Sequence, residues 1–364
     1  MFSPLANGLP DFPWDRIAAA GEHARSHPDG IIDLSIGTPV DDTPEVIIHA
    51  LAGAANAPGY PTAAGTVELR QAWIDWAAKT INAQLSLDQV SPAIGSKEIV
   101  AWLPIVLGLN AQSVVAIPEL AYPTYAVGAL MAHANFVTYT SAETIPDGTD
   151  LIWVNSPSNP TGEVLSIEEL KSIVARGREL GAPVASDECY IELGWDVEPV
   201  SILDPRVCGS DNSGLLAVHS LSKRSNLAGY RSGAVLGDAK LIADVISLRK
   251  HSGMLMPTPI QIATIAALGD QAHVARQREK YVKRRDLLHS AFSQAGFKID
   301  HSNAGLYLWL TDGRNCLETV SWLSDRGILA APGDFYGPTG ASHVRIALTA
   351  TDERVAACIS RLKA

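Results

Sequence analysis

Cysteine is scarce in this sequence, which contains four among 364 residues. The four (Cys189, Cys208, Cys316 and Cys358) are widely spaced and form no C-x-x-C pair. This spacing argues against a disulfide framework and a structural zinc site, and it is typical of a protein from the reducing cytoplasm. The ten histidines form no H-x-x-x-H cluster, so we expect no catalytic metal.

Positive charge is also in short supply. Lysine and arginine number 28 against 39 acidic residues, which gives a formal net charge of -11. Such a surface repels a polyanion unless it carries a local basic patch. The only dense basic stretch, residues 276–285, is interrupted by Glu279 and predicts the solvated face of a long helix. We therefore expect no nucleic-acid partner.

Signals for secretion and membrane insertion are missing as well. Residues 1–14 show no basic region followed by an apolar one, so we expect no secretory signal. Residues 99–118 are uncharged over nearly the ~20 residues that span a bilayer. Pro104, Gly108 and the polar residues that follow divide this stretch into a helix and then a strand, so we expect no membrane partner.

Short apolar runs recur between helix-like segments. The predicted strands are Val114–Ile117, Phe136–Tyr139, Leu151–Asn155, Pro183–Ser186, Leu215–Ser220 and Ser232–Leu236. The predicted helices are Lys97–Leu107, Tyr125–His133, Ile167–Leu180 and Ala239–Lys250. This alternation favours an α/β fold with a mostly parallel central sheet flanked by helices. In such sheets, ligands bind beyond the carboxyl ends of the strands.

The length of the chain suggests two domains, at roughly 100–200 residues each. From about Met256 the pattern changes to a smaller α+β arrangement, for which we predict these elements: helix His273–Gly296, strand Gly305–Leu310, helix Leu317–Arg326, strand His343–Leu348 and a last helix from Asp352. We predict a large α/β domain at residues 45–255 and a small domain formed by residues 1–44 and 256–364.

A lysine directly follows one of the predicted strands, in the motif Ser220-Leu-Ser222-Lys223. Desolvation at the edge of a sheet lowers the pKa of an amine, and a neutral amine condenses with an aldehyde. On its own, the motif more often represents an exposed lysine in a loop between strand and helix.

Acidic and amide side chains follow two other predicted strands: Asp187 and Tyr190 in SDECY, and Asn159 in NSPSNPTG. A carboxylate keeps the nitrogen of a pyridine-ring cofactor protonated, so that the ring can accept electrons. Tyr190 and Asn159 can donate hydrogen bonds to a phenolic oxygen on that ring. Each motif also has an ordinary interpretation, because aspartate often caps a helix and asparagine with proline and glycine is common in turns.

Gly95-Ser96-Lys97 opens a predicted helix and indicates an anion site. Backbone N–H groups and the helix dipole attract anions there, although the residues of a Walker loop are missing. Tyr122 follows a strand and can stack on a cofactor ring, while a plain core aromatic is an equally common interpretation.

Taken together and in this order, the motifs resemble the class I/II aminotransferases of pyridoxal-phosphate fold type I over nearly the whole chain. Gly229-Tyr-Arg231-Ser-Gly233 completes the set. The resemblance implies pyridoxal 5'-phosphate as the cofactor and Lys223 as the catalytic residue that holds it as a Schiff base. It implies these further cofactor contacts: Asp187 at the ring nitrogen, Asn159 and Tyr190 at the phenolic oxygen, Tyr122 stacked on the ring, and Ser96, Lys97 (largely through its backbone), Ser220 and Arg231 at the phosphate.

The resemblance extends to the substrate and to a partner subunit. Arg345, in the predicted strand HVRIAL, matches the arginine that clamps the substrate's α-carboxylate, with Asn159 beside it. Gly37, in SIGTP, matches the loop over the substrate. Tyr60 matches the residue that contacts the cofactor phosphate of a second subunit, which implies a homodimer with shared active sites. Residues 224–226 and Tyr230 depart from the common pattern but carry no catalytic role.

Within this family, residues 9–14 and the short chain resemble the N-succinyldiaminopimelate aminotransferases of actinobacterial lysine biosynthesis. The small-molecule substrates would then be glutamate, 2-oxoglutarate and the succinylated amino and keto acids. The alternatives are an aminotransferase for aspartate, alanine or aromatic amino acids, and a C–S lyase on the same fold. A pyridoxal-sensing regulator is disfavoured, because only about forty residues precede the large domain and they carry no helix-turn-helix pattern.

Overall fold

A computed structural model of the chain describes residues 8–363. The strands are β1 Ile32–Asp33, β2 Val90–Ala93, β3 Val114–Pro118, β4 Asn135–Tyr139, β5 Leu151–Asn155, β6 Val184–Asp187, β7 Leu215–Ser220, β8 Gly233–Gly237, β9 Lys298–Asp300, β10 Tyr307–Thr311, β11 Ile328–Leu329, β12 Ala331–Pro332 and β13 Val344–Ala347. The helices are α1 Ala18–Arg25, α2 Glu45–Gly53, α3 Val67–Thr80, α4 Ser96–Val106, α5 Thr124–Met131, α6 Ile167–Leu180, α7 Pro205–Cys208, α8 Leu221–Arg224, α9 Ala239–Ser252, α10 Thr258–Gly269, α11 Gln271–Gln294, α12 Cys316–Ser324 and α13 Asp352–Leu362.

Seven strands form the central sheet, in the order β2-β8-β7-β6-β5-β3-β4. Only β8 runs against its neighbours, so the sheet is mostly parallel. The inner strands β5, β6 and β7 are buried along their whole length, as near-continuous apolar strands in a sheet covered on both faces should be. Asn155 and Asp187 are paired at the carboxyl ends of β5 and β6, which places the functional motifs at one edge of the sheet.

A second, antiparallel sheet has the order β12-β13-β10-β9. The N-terminal part of the chain joins this region because β1 pairs with β11, and Ile32 and Leu34 share a hydrophobic core with Trp309 and Ile346. Helix α10 instead packs on α2 and α3 beside the central sheet. The division into a large domain at residues 45–255 and a small domain at residues 1–44 and 256–364 stays a prediction. Residues 1–7 of the small domain lie outside the described residues.

The predicted strands and helices are present, with ends that differ by one or two residues in most cases. The uncharged stretch at residues 99–118 is divided between α4 and β3, as predicted. In the part of the chain that the structure describes, no helix is both long and apolar enough to cross a membrane.

The interpretation of residues 276–285 as a solvated helix face is wrong at Arg284. This side chain of α11 is buried, and its guanidinium donates to both carboxylate oxygens of Asp41 at 2.7 and 2.8 Å and to Asp352 at 2.8 Å. Two carboxylates compensate the buried charge, and they come from segments far away in the sequence. The basic stretch therefore attaches α11 to the N-terminal segment and to the start of α13.

Candidate active site

A cavity of about 240 Å³ lies at the carboxyl ends of the inner strands. Eleven of the twelve predicted site residues line it: Gly37, Ser96, Lys97, Tyr122, Asn159, Asp187, Tyr190, Ser220, Lys223, Arg231 and Arg345. The twelfth, Tyr60, is outside the cavity and 99% exposed. The sequence motifs thus converge on one place in space, although they span more than 300 residues of chain.

Lys223 belongs to the short helix α8, which begins where β7 ends. The Ser220 hydroxyl caps this helix by accepting from the Ser222 N–H at 3.2 Å. The Lys223 ammonium donates to the carbonyl oxygen of Gly37, in the loop after β1. Burial lowers the pKa of the Lys223 amine below its usual value, and nearby Tyr307 only partly opposes this. An amine held in this way is suited to act as a nucleophile and as a base.

Asp187 is the last residue of β6 and is buried. Its carboxylate accepts from the Tyr125 hydroxyl at 3.0 Å and from the Cys189 N–H at 3.3 Å. Burial raises the pKa of Asp187, while these two hydrogen bonds work in the opposite direction. A cation facing this carboxylate would relieve its desolvation, which is the role expected of a protonated ring nitrogen.

A ladder of hydrogen bonds connects Asp187 to Arg345. The Asn155 side chain donates to the Asp187 carbonyl at 2.9 Å and accepts from the Asn159 N–H at 2.8 Å. The Asn159 side-chain oxygen accepts from Arg345 at 2.7 Å, and Arg345 also donates to the Ser35 carbonyl at 2.6 Å. Arg345 is buried, so it is not a surface arginine held by an exposed salt bridge.

Donors for an anion gather at the other side of the cavity. Helix α4 begins at Ser96, directly after Gly95, whose φ of +80° suits glycine. A Cβ at Gly95 would overlap the guanidinium of Arg231, so the missing side chain makes room for this group. The hydroxyls of Ser220 and Ser222 lie 2.8 Å apart in the same cavity. Helix N–H groups, hydroxyls and a guanidinium form a donor set that fits a phosphate.

These three regions together fit pyridoxal 5'-phosphate. A phosphate, an aldehyde carbon and a ring nitrogen would meet the anion donors, Lys223 and Asp187 respectively. The fit rests on the chemistry of the donor set and on the space that Gly95 leaves beside Arg231.

The structure adds cavity residues that the sequence reasoning did not assign. Tyr307 and Trp14 line the cavity together with Cys189 and Ser222. Tyr125, named in the sequence analysis only as the first residue of a predicted helix, is the hydroxyl donor to Asp187. Tyr307 was detectable in principle, because it is the one residue with a hydroxyl in the predicted apolar strand Gly305–Leu310.

Glu188 and His219 form a buried titratable pair beneath this site, with 3.5 Å between Glu188 Oε2 and His219 Nε2. Burial raises the pKa of Glu188 to about 7 and lowers the pKa of His219 to about 3. Between these values both groups are neutral, so the pair is not a salt bridge at weakly acidic pH.

Because of this pair, we expect the free energy of unfolding to depend on pH, and Glu188→Gln should remove the part of that dependence that Glu188 causes. Because its folded-state pKa is raised, Glu188 contributes stability that is fully present below pH 4.5 and lost as the pH rises through about 7. From pH 5 to pH 8, the free energy of unfolding of the wild type should fall by roughly 2–3 kcal/mol relative to Glu188→Gln. Urea denaturation of both proteins across this range checks it, with exposed Glu318→Gln as the control. Parallel curves for wild type and Glu188→Gln would contradict it.

The chain is similar to known aminotransferases along its whole length. Residues 29–362 match the family model for aminotransferase class I and II. The probable aminotransferase Rv1178 of Mycobacterium tuberculosis is 53% identical over 360 residues, which cover 98% of this chain and 86% of the relative. The 4-dedimethylamino-4-oxo-anhydrotetracycline transaminase OxyQ of Streptomyces rimosus is 51% identical over 355 residues, 97% of this chain and 99% of the relative. An LL-diaminopimelate aminotransferase of Dehalococcoides mccartyi is 31% identical, with 99% and 97% of the two chains covered.

Solved structures agree with these relatives. The crystal structure of an aminotransferase from Neisseria meningitidis matches with a TM-score of 0.90 at 30% identity, covering all of this chain and 98% of the other. The aspartate aminotransferase of Thermus thermophilus with maleate matches with a TM-score of 0.89 at 23% identity, over 99% and 98% of the chains. At 23% identity, the similarity to the Thermus thermophilus enzyme supports the fold alone.

Proposed function

Because the chain belongs to the class I and II aminotransferases, which depend on pyridoxal phosphate, we propose that it exchanges an amino group between glutamate or 2-oxoglutarate and N-succinyl-2-amino-6-oxopimelate. The product amine, N-succinyl-LL-diaminopimelate, belongs to lysine and diaminopimelate biosynthesis. LL-diaminopimelate aminotransferases at 30–32% identity, named for a closely related compound, support this choice of substrate class.

The observation that carries the proposal is Lys97, a cation that lines the cavity in addition to Lys223, Arg231 and Arg345. The Lys97 ammonium lies 5.9 Å from the Phe12 ring centroid and 6.0 Å from that of Tyr122. Lys97 lines the cavity, and among residues 8–363 its ammonium has no carboxylate within salt-bridge distance. Arg345 and Lys97 therefore suit a substrate with a carboxylate at each end, as glutamate and the succinylated keto acid both have.

The roles we propose follow from the positions of the side chains. When bound, pyridoxal phosphate supplies an aldehyde for the amino group and a ring that spreads the charge left when Cα loses its proton. Asp187 would hold the ring nitrogen, Asn159 and Tyr190 the phenolic oxygen, and Ser96, Ser220 and Arg231 the phosphate. Lys223 would take the proton from the substrate's Cα. It would return this proton to the carbon on the cofactor side of the transferred nitrogen. Arg345 would orient the α-carboxylate so that the Cα–H bond faces Lys223.

We further propose a homodimer in which Tyr60 completes the site of the second subunit. Full exposure of this ring in the single chain supports the idea, because a tyrosine that packs nowhere in its own subunit is available to a partner. The cytoplasmic location likewise stays a prediction.

An absorbance spectrum of the purified protein, recorded before and after glutamate, tests the reaction. We expect the visible band of the lysine-bound cofactor to be replaced by the near-ultraviolet band of its aminated form. A keto-acid panel then ranks the acceptors, with N-succinyl-2-amino-6-oxopimelate expected first, ahead of oxaloacetate, pyruvate and phenylpyruvate. Release of pyruvate and ammonia from cystathionine without any keto acid would instead identify a C–S lyase.

A second acceptor class is favoured by one observation. OxyQ is 51% identical and is named for a 4-oxo-anhydrotetracycline, which is a polycyclic ketone. Aromatic side chains from Trp14, Tyr122 and Tyr307 also line the cavity. The acceptor panel therefore includes this ketone, and a higher kcat/KM for it than for the succinylated keto acid would replace the proposed substrate.

Lys97→Met tests the distal carboxylate. Removing one charged partner of a carboxylate costs about 1.5–3 kcal/mol, so we expect KM to rise roughly 10- to 100-fold for glutamate and for the succinylated keto acid. Alanine and pyruvate, which have no distal carboxylate, should be affected less than about threefold. Lys97→Arg keeps the charge and is the matched control. An equal loss for alanine and glutamate would contradict the assignment.

A further inference from the structure

Tyr307 lies between the groups proposed for the substrate and those proposed for the cofactor. It is the first residue of β10, in the antiparallel sheet, and is only 4% exposed. Its ring is covered by Arg345, whose guanidinium carbon lies 3.9 Å from the ring centroid. A guanidinium stacked on an aromatic face has a fixed plane, which is what a two-point contact with a carboxylate needs.

The hydroxyl of Tyr307 reaches the cofactor side of the cavity. It lies 3.1 Å from the Tyr190 hydroxyl, within hydrogen-bond distance. A Cβ at Gly37 would overlap the Tyr307 hydroxyl, so this loop passes directly against it. The Gly37 carbonyl in turn accepts from Lys223. One phenol therefore contacts the loop over the substrate, the Tyr190 hydroxyl and the Arg345 guanidinium.

Either hydroxyl can donate in this pair, and the charges around the two phenols favour one direction. Burial would raise the pKa of Tyr307, but the positive charges of Arg345 and Lys223 outweigh it and lower that pKa below the usual value. Burial, with the neighbouring Tyr307, raises the pKa of Tyr190. The more acidic phenol is the better donor, which favours Tyr307 as the donor to Tyr190. Tyr190 then keeps its own proton for another acceptor.

We propose that Tyr307 is a positioning residue for transamination: its ring holds the Arg345 guanidinium for the substrate carboxylate, and its hydroxyl donates to Tyr190, so that Tyr190 donates to the phenolic oxygen of bound pyridoxal phosphate. The two halves of Tyr307 thus serve two different parts of the reaction. Hydrogen bonds in a chain strengthen one another, so loss of the first weakens the second.

Tyr307→Phe separates the two roles because it keeps the ring and removes the hydroxyl. A hydrogen bond to the phenolic oxygen of the cofactor stabilises its anionic form. A weaker bond therefore raises the pH at which the nitrogen joining Lys223 to the cofactor loses its proton. We expect the midpoint of the visible absorbance change with pH to rise by about 0.5–1 in Tyr307→Phe. KM for glutamate should stay within about twofold. Tyr307→Leu also removes the ring and should raise KM for glutamate about tenfold or more.

Tyr336→Phe is the matched control. The Tyr336 ring also faces Arg345, at 5.0 Å, but within the described residues its buried hydroxyl has no hydrogen-bond partner. This variant should leave the absorbance midpoint unchanged. An unchanged midpoint in Tyr307→Phe as well would overturn the proposal.

A double variant tests whether Tyr307 acts through Tyr190. Tyr190→Phe should raise the midpoint by itself, and Tyr190→Phe combined with Tyr307→Phe should raise it no further. Additive shifts would overturn the proposed route, because they would mean that the Tyr307 hydroxyl acts on the cofactor independently. If Tyr307→Phe lowers cofactor occupancy, the titrations are made at saturating pyridoxal phosphate, so that each variant still gives a midpoint.

Discussion

Lys223→Ala is expected to abolish transamination while leaving the fold in place. Lys223 lines the cavity, and burial keeps the pKa of its amine below the usual value for lysine. General acid–base catalysis by one group contributes about 10²–10⁴ in rate, and loss of the attachment to the cofactor adds to that. We expect kcat for the glutamate and 2-oxoglutarate exchange to fall by at least about 10³-fold.

Although Lys223→Ala should lose activity, its folded state should be at least as stable as that of the wild type. A cation held in a desolvated position is unfavourable for folding, and alanine removes it without leaving an unpaired charge. The melting temperature of Lys223→Ala should therefore equal or exceed that of the wild type when both are compared without cofactor. A large drop would mean that lost activity reflects lost structure.

Lys171→Ala is the matched control for this experiment. Lys171 lies on α6, does not line the cavity and pairs with exposed Glu168. Its removal should change neither kcat nor the visible absorbance of the bound cofactor. Turnover of Lys223→Ala near the wild-type rate would rule out Lys223 as the catalytic residue, whatever the control shows.

The central sheet was predictable because its inner strands are apolar runs. The predicted family, the α/β fold and the cofactor are confirmed. Strand β2 was missed for a physical reason: it contains Pro92, which argues against a strand, and β2 forms the edge of the sheet where proline is tolerated. Strand β9 has three residues, two of them charged, and carries no apolar pattern.

The local part of the site was also predictable, since Asp187 and Ser220 end buried strands and Lys223 comes shortly after one, and the carboxyl ends of these strands meet at one edge of the sheet. Contacts between the core of the central sheet and the core of the antiparallel sheet were not predictable. Arg345 bonds with Asn159, 186 residues away, and no local pattern encodes that pairing. The position of Tyr307 depends on the pairing of β10 with β13 in the antiparallel sheet. This pairing is a tertiary contact that the local sequence does not specify. The proposed role of Tyr60 depends on a second subunit, whose surface no single-chain pattern describes.

Substitution of Arg345 should have the second largest effect on the reaction. Arg345 is 2% exposed, and two of its N–H groups donate to Asn159 and Ser35. Within residues 8–363 its buried Nε has no partner. A buried donor without an acceptor is costly, and a substrate carboxylate would supply the missing acceptor.

Arg345→Leu is therefore expected to lower kcat/KM for glutamate by roughly 10²–10³-fold, mainly through KM, since truncating one side of a buried charge pair costs about 2–5 kcal/mol. Arg345→Lys should recover only part of this loss, because an ammonium cannot make two parallel hydrogen bonds. The decisive comparison uses 4-aminobutyrate, which keeps the distal carboxylate of glutamate and lacks the α-carboxylate. The wild type should strongly prefer glutamate over this compound, and in Arg345→Leu that preference should nearly vanish. If Arg345→Leu loses the same factor for both compounds, then Arg345 maintains the shape of the site and does not bind the α-carboxylate.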